Sequence, residues 1–253
     1  MARHVLVTGA AGGIGLAVAK AFHALGDTVT GVDAREPDLV AAMAPLGGRA
    51  LVADLAAEDC AEVVDRAVEA TGPVDVLVNA AGIYPATTLA DMTATAWDRV
   101  QHVNVRGPML LTRALAAAGR PAAVVNISSS AATRARQGAA HYCTSKAAVE
   151  MLTKACAVEL GGQGIRVNAV APGFVEVASP VNPVTPEYAH AVSANPVGRA
   201  GLPEEIAAAV VWVAGPDAAF VTGSVLRVDG GGTAGSTALP LHFPSTTALQ
   251  ESS

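Results

Sequence analysis

The chain has 253 residues, 51% hydrophobic, 15% charged and 4% aromatic, with a formal net charge of −6. That balance suits a full hydrophobic core without metal or disulfide support, and it argues against intrinsic disorder. The acidic charge gives no basic footprint for nucleic acid, and no apolar run reaches the ~18 residues that a membrane span needs.

Short Val- and Leu-rich runs alternate with longer helical patterns along the chain. Strands are expected at 4–8, 28–33, 50–54, 74–79, 122–128, 165–170 and 224–229. Ala-rich amphipathic helices are expected near 13–25, 58–70, 95–118, 142–160 and 203–214. The strands are continuous apolar runs, so both of their faces are covered, which implies a parallel sheet with helices on both sides. The expected fold is therefore α/β, a Rossmann-type doubly wound sheet of about seven strands. No linker or charge block divides the chain before about residue 232, so 1–232 is read as one domain. The segment 233–253, rich in Ser, Thr and Pro, is read as a C-terminal tail. No signal peptide is visible, because the N-terminal apolar run leads directly into a Gly-rich turn. Cys60, Cys143 and Cys156 form no ligand cluster, so no metal site is expected and reduced thiols in the cytoplasm are.

The turn after the first strand reads Thr8-Gly9-Ala10-Ala11-Gly12-Gly13-Ile14-Gly15. Its glycines let the backbone approach a pyrophosphate while the helix N-terminus offers free N–H groups. The spacing is GxxxGxG rather than GxGxxG, and alone it could also be a plain strand–helix connector. Asp33 ends the second strand, where an acid accepts hydrogen bonds from the adenosine ribose and repels the extra phosphate of NADP. NAD is the expected cofactor, although Arg35 nearby points the other way.

Tyr142 and Lys146 lie four apart near the start of a helix, on one face. A phenol titrates near ~10, too high for a base near neutrality, and an adjacent ammonium lowers that value. The pair alone could equally be a partly buried Tyr beside a surface Lys. Ser129 ends the fifth strand, and Asn104 lies in the 95–118 helix four residues before Pro108. Proline has no N–H, so the carbonyl of residue 104 needs another partner, and a water beneath Lys146 would extend a proton path.

Together these features resemble the short-chain dehydrogenase/reductase family over roughly residues 2–232. The resemblance rests on TGAAGGIG at 8–15, NAAG at 79–82, Asn104, Ser129, Tyr142-x-x-x-Lys146 and Pro172-Gly173. It implies that Tyr142 gives or takes the hydroxyl proton and that Ser129 orients the substrate oxygen. Lys146 would lower the Tyr142 pKa and hold the nicotinamide ribose, while Asn104 supports the relay water. Gly9, Gly13, Ile14 and Gly15 would hold the NAD phosphates, with Asp33 on the ribose and Asp54 and Leu55 at the adenine. Asn79 would brace the central strands, and Ala80, Gly82, Pro172, Gly173 and Val175 would complete the cofactor contacts. Where many members have a Thr the chain has Val177, so backbone near Val175, or Ser179, is the expected substitute. The resemblance also implies a homotetramer.

The pocket is expected between the 130–141 loop, the segment after Asn79 and the stretch 174–198, with a largely apolar lining. Arg134 and Arg136 are its exceptions. Ile83, the Ala131-Ala132 pair and Arg136 resemble the 2,3-dihydro-2,3-dihydroxybenzoate dehydrogenase branch. That resemblance implies a small-molecule substrate, a cyclic alcohol or carboxylated dihydrodiol, whose carboxylate Arg136 holds beside Ser129 and Tyr142. The alternatives are a 3-ketoacyl-type carbonyl reductase and a non-catalytic NAD-binding regulator. An intact Asn104, Ser129, Tyr142 and Lys146 set favours an enzyme, because a pure sensor has no need of a tuned phenol.

Overall fold

Val-rich runs bounded by Gly and Asp form the strands β1 (His4–Thr8), β2 (Thr28–Asp33), β3 (Arg49–Val52), β4 (Val76–Asn79), β5 (Ala122–Ile127), β6 (Ile165–Pro172) and β7 (Val225–Val228). They make one seven-stranded sheet in the order β3-β2-β1-β4-β5-β6-β7, every neighbouring pair parallel. The helices that pack with this sheet in the described residues include α1 (Gly13–Ala24), α2 (Glu36–Met43), α3 (Glu62–Thr71), α4 (Ala94–Gln101), α5 (Gly107–Ala117), α6 (Ala140–Leu160) and α7 (Pro203–Ala214). This computed structural model describes residues 2–177, 185, 187, 189, 191, 193 and 195–235. Ser179, the 180–183 stretch and tail residues 236–253 lie outside the described residues. Among the described residues, no helix is long and apolar enough to cross a membrane.

Strand periodicity sorts the core into two layers. Val5, Val7, Val76, Val78 and Val125 face Phe22 of α1 and Ile206 and Val210 of α7. Their sequence neighbours Leu6, Leu77 and Val124 face the other way, onto Val63 of α3 and Leu111 and Leu115 of α5. Both faces of the central strands are thus covered, as the uninterrupted apolar runs require. The strand order reverses between β1 and β4, and a crevice beyond the carboxyl ends of such strands is where ligands bind.

Three of the departures from the expected elements have a clear physical reason. The helix α2 carries only two buried anchors, Leu39 and Met43, too sparse a signal to read from sequence. The expected 95–118 helix is split: α4 ends at Gln101, a π-helical turn spans His102–Arg106, and α5 follows. Pro108 cannot donate to the carbonyl of residue 104, and the wider turn accommodates it, with the Gly107 N–H reaching the His102 carbonyl. Finally, β3 stops at Val52 rather than residue 54, since the Asp54 carboxylate accepts the Ala56 N–H at 2.9 Å and turns the chain.

Candidate active site

At the nucleotide end, steric demands shape the turn between β1 and α1. Gly9 has φ +69°, and a Cβ there would lie 2.9 Å from the Ala81 Cα. A Cβ on Gly15 would lie 2.2 Å from the Gly9 carbonyl oxygen, so α1 docks on the turn only without a side chain. The N-cap residue, Gly12, supplies no side-chain cap, and the first turn of α1, which contains Gly13, Ile14 and Gly15, holds no acid. Uncapped N–H groups at the positive end of a helix fit a pyrophosphate.

The Asp33 carboxylate flanks this turn, accepting the Ala11 N–H at 3.2 Å and the Arg35 N–H at 3.0 Å. The Arg35 side chain lies 3.3 Å from Asp33 and 2.9 Å from Asp38, so it spans two acids. Asp54 pairs with Arg99 at 3.0 Å, and the buried Leu55 packs beneath Gly107. Pro172 ends β6, and Gly173 admits the backbone of Asp229, whose Cα would be 2.8 Å from any Cβ. Val175 bridges to Gly201. Val177 reaches the Gly-rich turn, its methyl 3.6 Å from a Cβ on Gly13, although it brings no hydroxyl.

The other end of the candidate site, around Tyr142, is built from side chains. Asn79 donates to Asn126 at 2.8 Å, and Asn126 donates to Thr153 of α6 at 2.9 Å, tying β4 through β5 to the helix. Thr8 accepts the N–H groups of Ala80 and Ala81 at 3.0 and 3.1 Å, fixing the chain that leaves β4. Asn104 in the π-helical turn accepts the Ile83 N–H and donates to the Ile83 carbonyl, both at 2.9 Å. Gly82 sits at the junction: a Cβ there would be 3.5 Å from both Asn104 Oδ1 and Lys146 Nζ.

Tyr142 and Lys146 project from the first turns of α6 and are buried, and Ser129 at the end of β5 hydrogen-bonds the phenol. Of the three adjacent serines, Ser128 is committed to Glu150 at 3.1 Å and to the Lys146 carbonyl, which leaves Ser129 beside Tyr142. Lys146 donates to the Ile127 carbonyl at 2.7 Å. The Arg136 guanidinium lies 5.3 Å from the centre of the Tyr142 ring, and the half-buried Tyr84 tilts against that ring at 5.5 Å. Arg134 instead donates to the Gly232 carbonyl, linking the 130–141 loop to the turn after β7.

The electrostatics depart from the sequence-based expectation. Burial raises the Tyr142 pKa, while the Ser129 hydrogen bond and the Arg136 charge pull it down without prevailing. Burial also lowers Lys146, to about 8. The expected lowering of the phenol by Lys146 is not seen. Its ammonium lies 5.7 Å from the ring centre and is engaged by a backbone carbonyl. Sequence reasoning also missed Ser145 and Gln101. Ser145 accepts from Asn104 at 3.0 Å, and Gln101 donates to the His141 carbonyl at 3.0 Å. No local pattern marks either residue as part of the site, because Asn104 and the His141 carbonyl lie far from them along the chain.

Comparison with known proteins defines the class. A family model described as Enoyl-(Acyl carrier protein) reductase matches residues 9–233. The chain belongs to the short-chain dehydrogenase/reductase family, nicotinamide-dependent oxidoreductases that act on alcohol and carbonyl groups. It is 41% identical to the short-chain reductase protein NovJ of Streptomyces niveus, over 89% of this chain and 92% of that protein. It is 39% identical to a 3-oxoacyl-(acyl-carrier-protein) reductase of Thermotoga maritima, over 89% of this chain and 96% of the relative. A cis-4-hydroxycyclohexanecarboxylate dehydrogenase of Sinomonas cyclohexanicum is 38% identical, over 92% of this chain and 97% of its own. Among solved structures, a blue fluorescent protein from a metagenomic library in complex with NADPH superposes with TM-score 0.84. It is 33% identical, over 90% of this chain and 97% of that one. A 4-hydroxyisoleucine dehydrogenase complexed with NADH also gives TM-score 0.84, at 29% identity over 92% of this chain and 100% of that one.

Proposed function

We propose that this enzyme uses NAD to oxidise a secondary alcohol, or to reduce the ketone, with Tyr142 as acid/base. The observation that carries the reading is the convergence of Tyr142, Ser129, Lys146 and Asn104 beside the Gly-rich turn. When bound, the nicotinamide supplies the hydride acceptor or donor. Gly9, Gly13, Ile14 and Gly15 would hold its pyrophosphate, and Asp33 the adenosine ribose. Asp54 and Leu55 would flank the adenine, while Ala80, Gly82, Pro172, Gly173 and Val175 wall the nicotinamide side. Tyr142 takes the alcohol proton, or returns it to the ketone oxygen, and Ser129 fixes that oxygen by a second hydrogen bond. Lys146 would hold the nicotinamide ribose. Asn104 secures the segment that carries Ile83 and Tyr84.

The substrate proposed is a small cyclic alcohol carrying a carboxylate. Arg136 sits over the Tyr142 ring and Tyr84 tilts beside it, so a cyclic substrate with an anionic arm would meet an aromatic wall and a guanidinium. The relationship to a cis-4-hydroxycyclohexanecarboxylate dehydrogenase supports this class. The test is NADH formation from paired cyclic alcohols with and without a carboxylate, in wild type and Arg136→Ala. Loss of about ten-fold or more in kcat/KM on the acidic member alone is expected, as for a hydrogen bond to a charged group. Equal losses on both members would remove the carboxylate from the account.

A homotetramer is proposed as the assembly. The outer face of α6 exposes Met151 and Val158, and Trp212 and Phe220 are exposed near the β7 edge of the sheet. Two separate apolar faces suit a closed symmetric assembly. Light scattering at micromolar concentration should give four times the chain mass, and a monomer mass would refute the assembly.

A further inference from the structure

We propose that Ser145, outside the expected catalytic set, is a positioning residue for Tyr142, joining the Asn104 amide to the Tyr142 backbone. This rests on the reading of Tyr142 as acid/base. Ser145 is fully buried in α6. Its hydroxyl donates to the Tyr142 carbonyl at 2.7 Å and accepts from Asn104 Nδ2 at 3.0 Å. Both hydrogens of the Asn104 amide are thereby used: one goes to Ser145 and the other to the Ile83 carbonyl, while Oδ1 accepts the Ile83 N–H.

A closed circuit results. It runs from the Tyr142 carbonyl through Ser145 and Asn104 to Ile83, then along the chain to Tyr84, whose ring returns to the Tyr142 ring at 5.5 Å. The backbone and the ring of Tyr142 are therefore held from opposite ends of one network. Gln101, three residues before Asn104, adds a second tie by donating to the carbonyl of His141, the residue before Tyr142. Two consecutive carbonyls at the start of α6 are thus anchored to the α4 end of the molecule. A plain back-bonding serine in a helix would make only the carbonyl contact. The added Asn104 bond lets this residue govern the approach of Tyr142 to the substrate oxygen, a distance to which proton transfer is sensitive.

Removing the hydroxyl leaves one hydrogen of a buried amide without an acceptor and lets the Asn104 side chain turn. Ser145→Ala, Ser145→Cys, Ser145→Thr, Asn104→Ala, the double variant Asn104→Ala/Ser145→Ala and Tyr142→Phe test this. Each is assayed on the alcohol that wild type turns over best, with NADH affinity from fluorescence and unfolding temperature alongside. Ser145→Ala should lower kcat about ten-fold or more while the NADH Kd stays within about two-fold, as misplaced catalytic groups do. Ser145→Thr should recover most of kcat because it keeps the hydroxyl. The double variant should be no slower than Asn104→Ala by more than about two-fold, the non-additivity of a shared network. Should Ser145→Ala fail to fold, the near-isosteric Ser145→Cys serves for the same comparison. A wild-type kcat in the Ala or Cys variant, or losses that multiply fully in the double variant, would overturn the proposal. Should Tyr142→Phe keep wild-type kcat, the acid/base reading itself fails; an inactive Tyr142→Phe beside a normal Ser145→Ala overturns the positioning role alone.

Discussion

The nucleotide end and the catalytic end of the cleft are built by opposite means. At the Gly-rich turn, shape comes from side chains that are missing: Gly9 and Gly15 let backbone meet backbone at distances no Cβ would allow. At the start of α6, shape comes from side chains that bond to one another: Asn104 to Ser145, and Asn79 through Asn126 to Thr153, hold the strands and helix in a buried hydrogen-bond network. The first kind of site has no slack, because a single methyl collides with backbone. The second kind is divided among several bonds, so each loss should be partial and should appear in turnover before it appears in cofactor affinity.

The sharpest way to break that contrast is Gly15→Ala. Its methyl would meet the Gly9 carbonyl oxygen at 2.2 Å, which forces β1 and α1 apart. Overpacking of this kind costs about 1–3 kcal/mol or more. NADH affinity should collapse and the unfolding temperature should fall, read by fluorescence titration and calorimetry. Native NADH binding in this variant would show that the turn can yield.

The next effect belongs to the catalytic end. Lys146 has a pKa lowered by burial to about 8, so its ammonium is present below that pH and lost above it. In the proposed mechanism carbonyl reduction uses the ammonium together with the protonated phenol, and the phenol is pushed upward by burial. The kcat/KM for reduction should be flat on the acid side and decline as pH rises through about 8. A reduction profile that climbs across that pH would contradict the assignment.

A smaller effect is expected at the rim of the nucleotide end. Asp33→Asn removes the charge that repels a ribose phosphate while keeping the turn's shape. The preference for NAD over NADP, as a ratio of kcat/KM values, should fall by about ten-fold or more, given the worth of hydrogen bonds to charged groups. An unchanged ratio would transfer control to Arg35, which spans Asp33 and Asp38.

The two ends also differ in how legible they are in the sequence. The boundaries of β1 and β2 match their apolar runs, and α7 matches the pattern after Pro203, since local composition alone decides them. Tyr142 and Lys146 can be placed together because four residues in a helix return to one face. Pro108 signals a disturbed helix, but not that a π-helical turn would absorb it. Nothing local marks Ser145 or Gln101 as part of the site, because the Asn104 amide and the His141 carbonyl that they meet lie 41 and 40 residues away. The raised pKa of Tyr142 was hidden for the same reason, because burial is set by tertiary packing and outweighs the pull of the Ser129 hydrogen bond and the Arg136 charge.

The central claim is that Tyr142 moves the substrate proton during a nicotinamide-linked oxidation. Tyr142→Phe removes the hydroxyl and keeps the ring against Tyr84 and beneath Arg136. The direct measurement is NADH production from a carboxylated cyclic alcohol by this variant, with NADH affinity measured on the same sample. The account predicts a loss in kcat of about 10²–10⁴-fold, the usual worth of a positioned acid/base, with affinity unchanged within a few-fold. Turnover near the wild-type rate in a variant that binds NADH normally would contradict it.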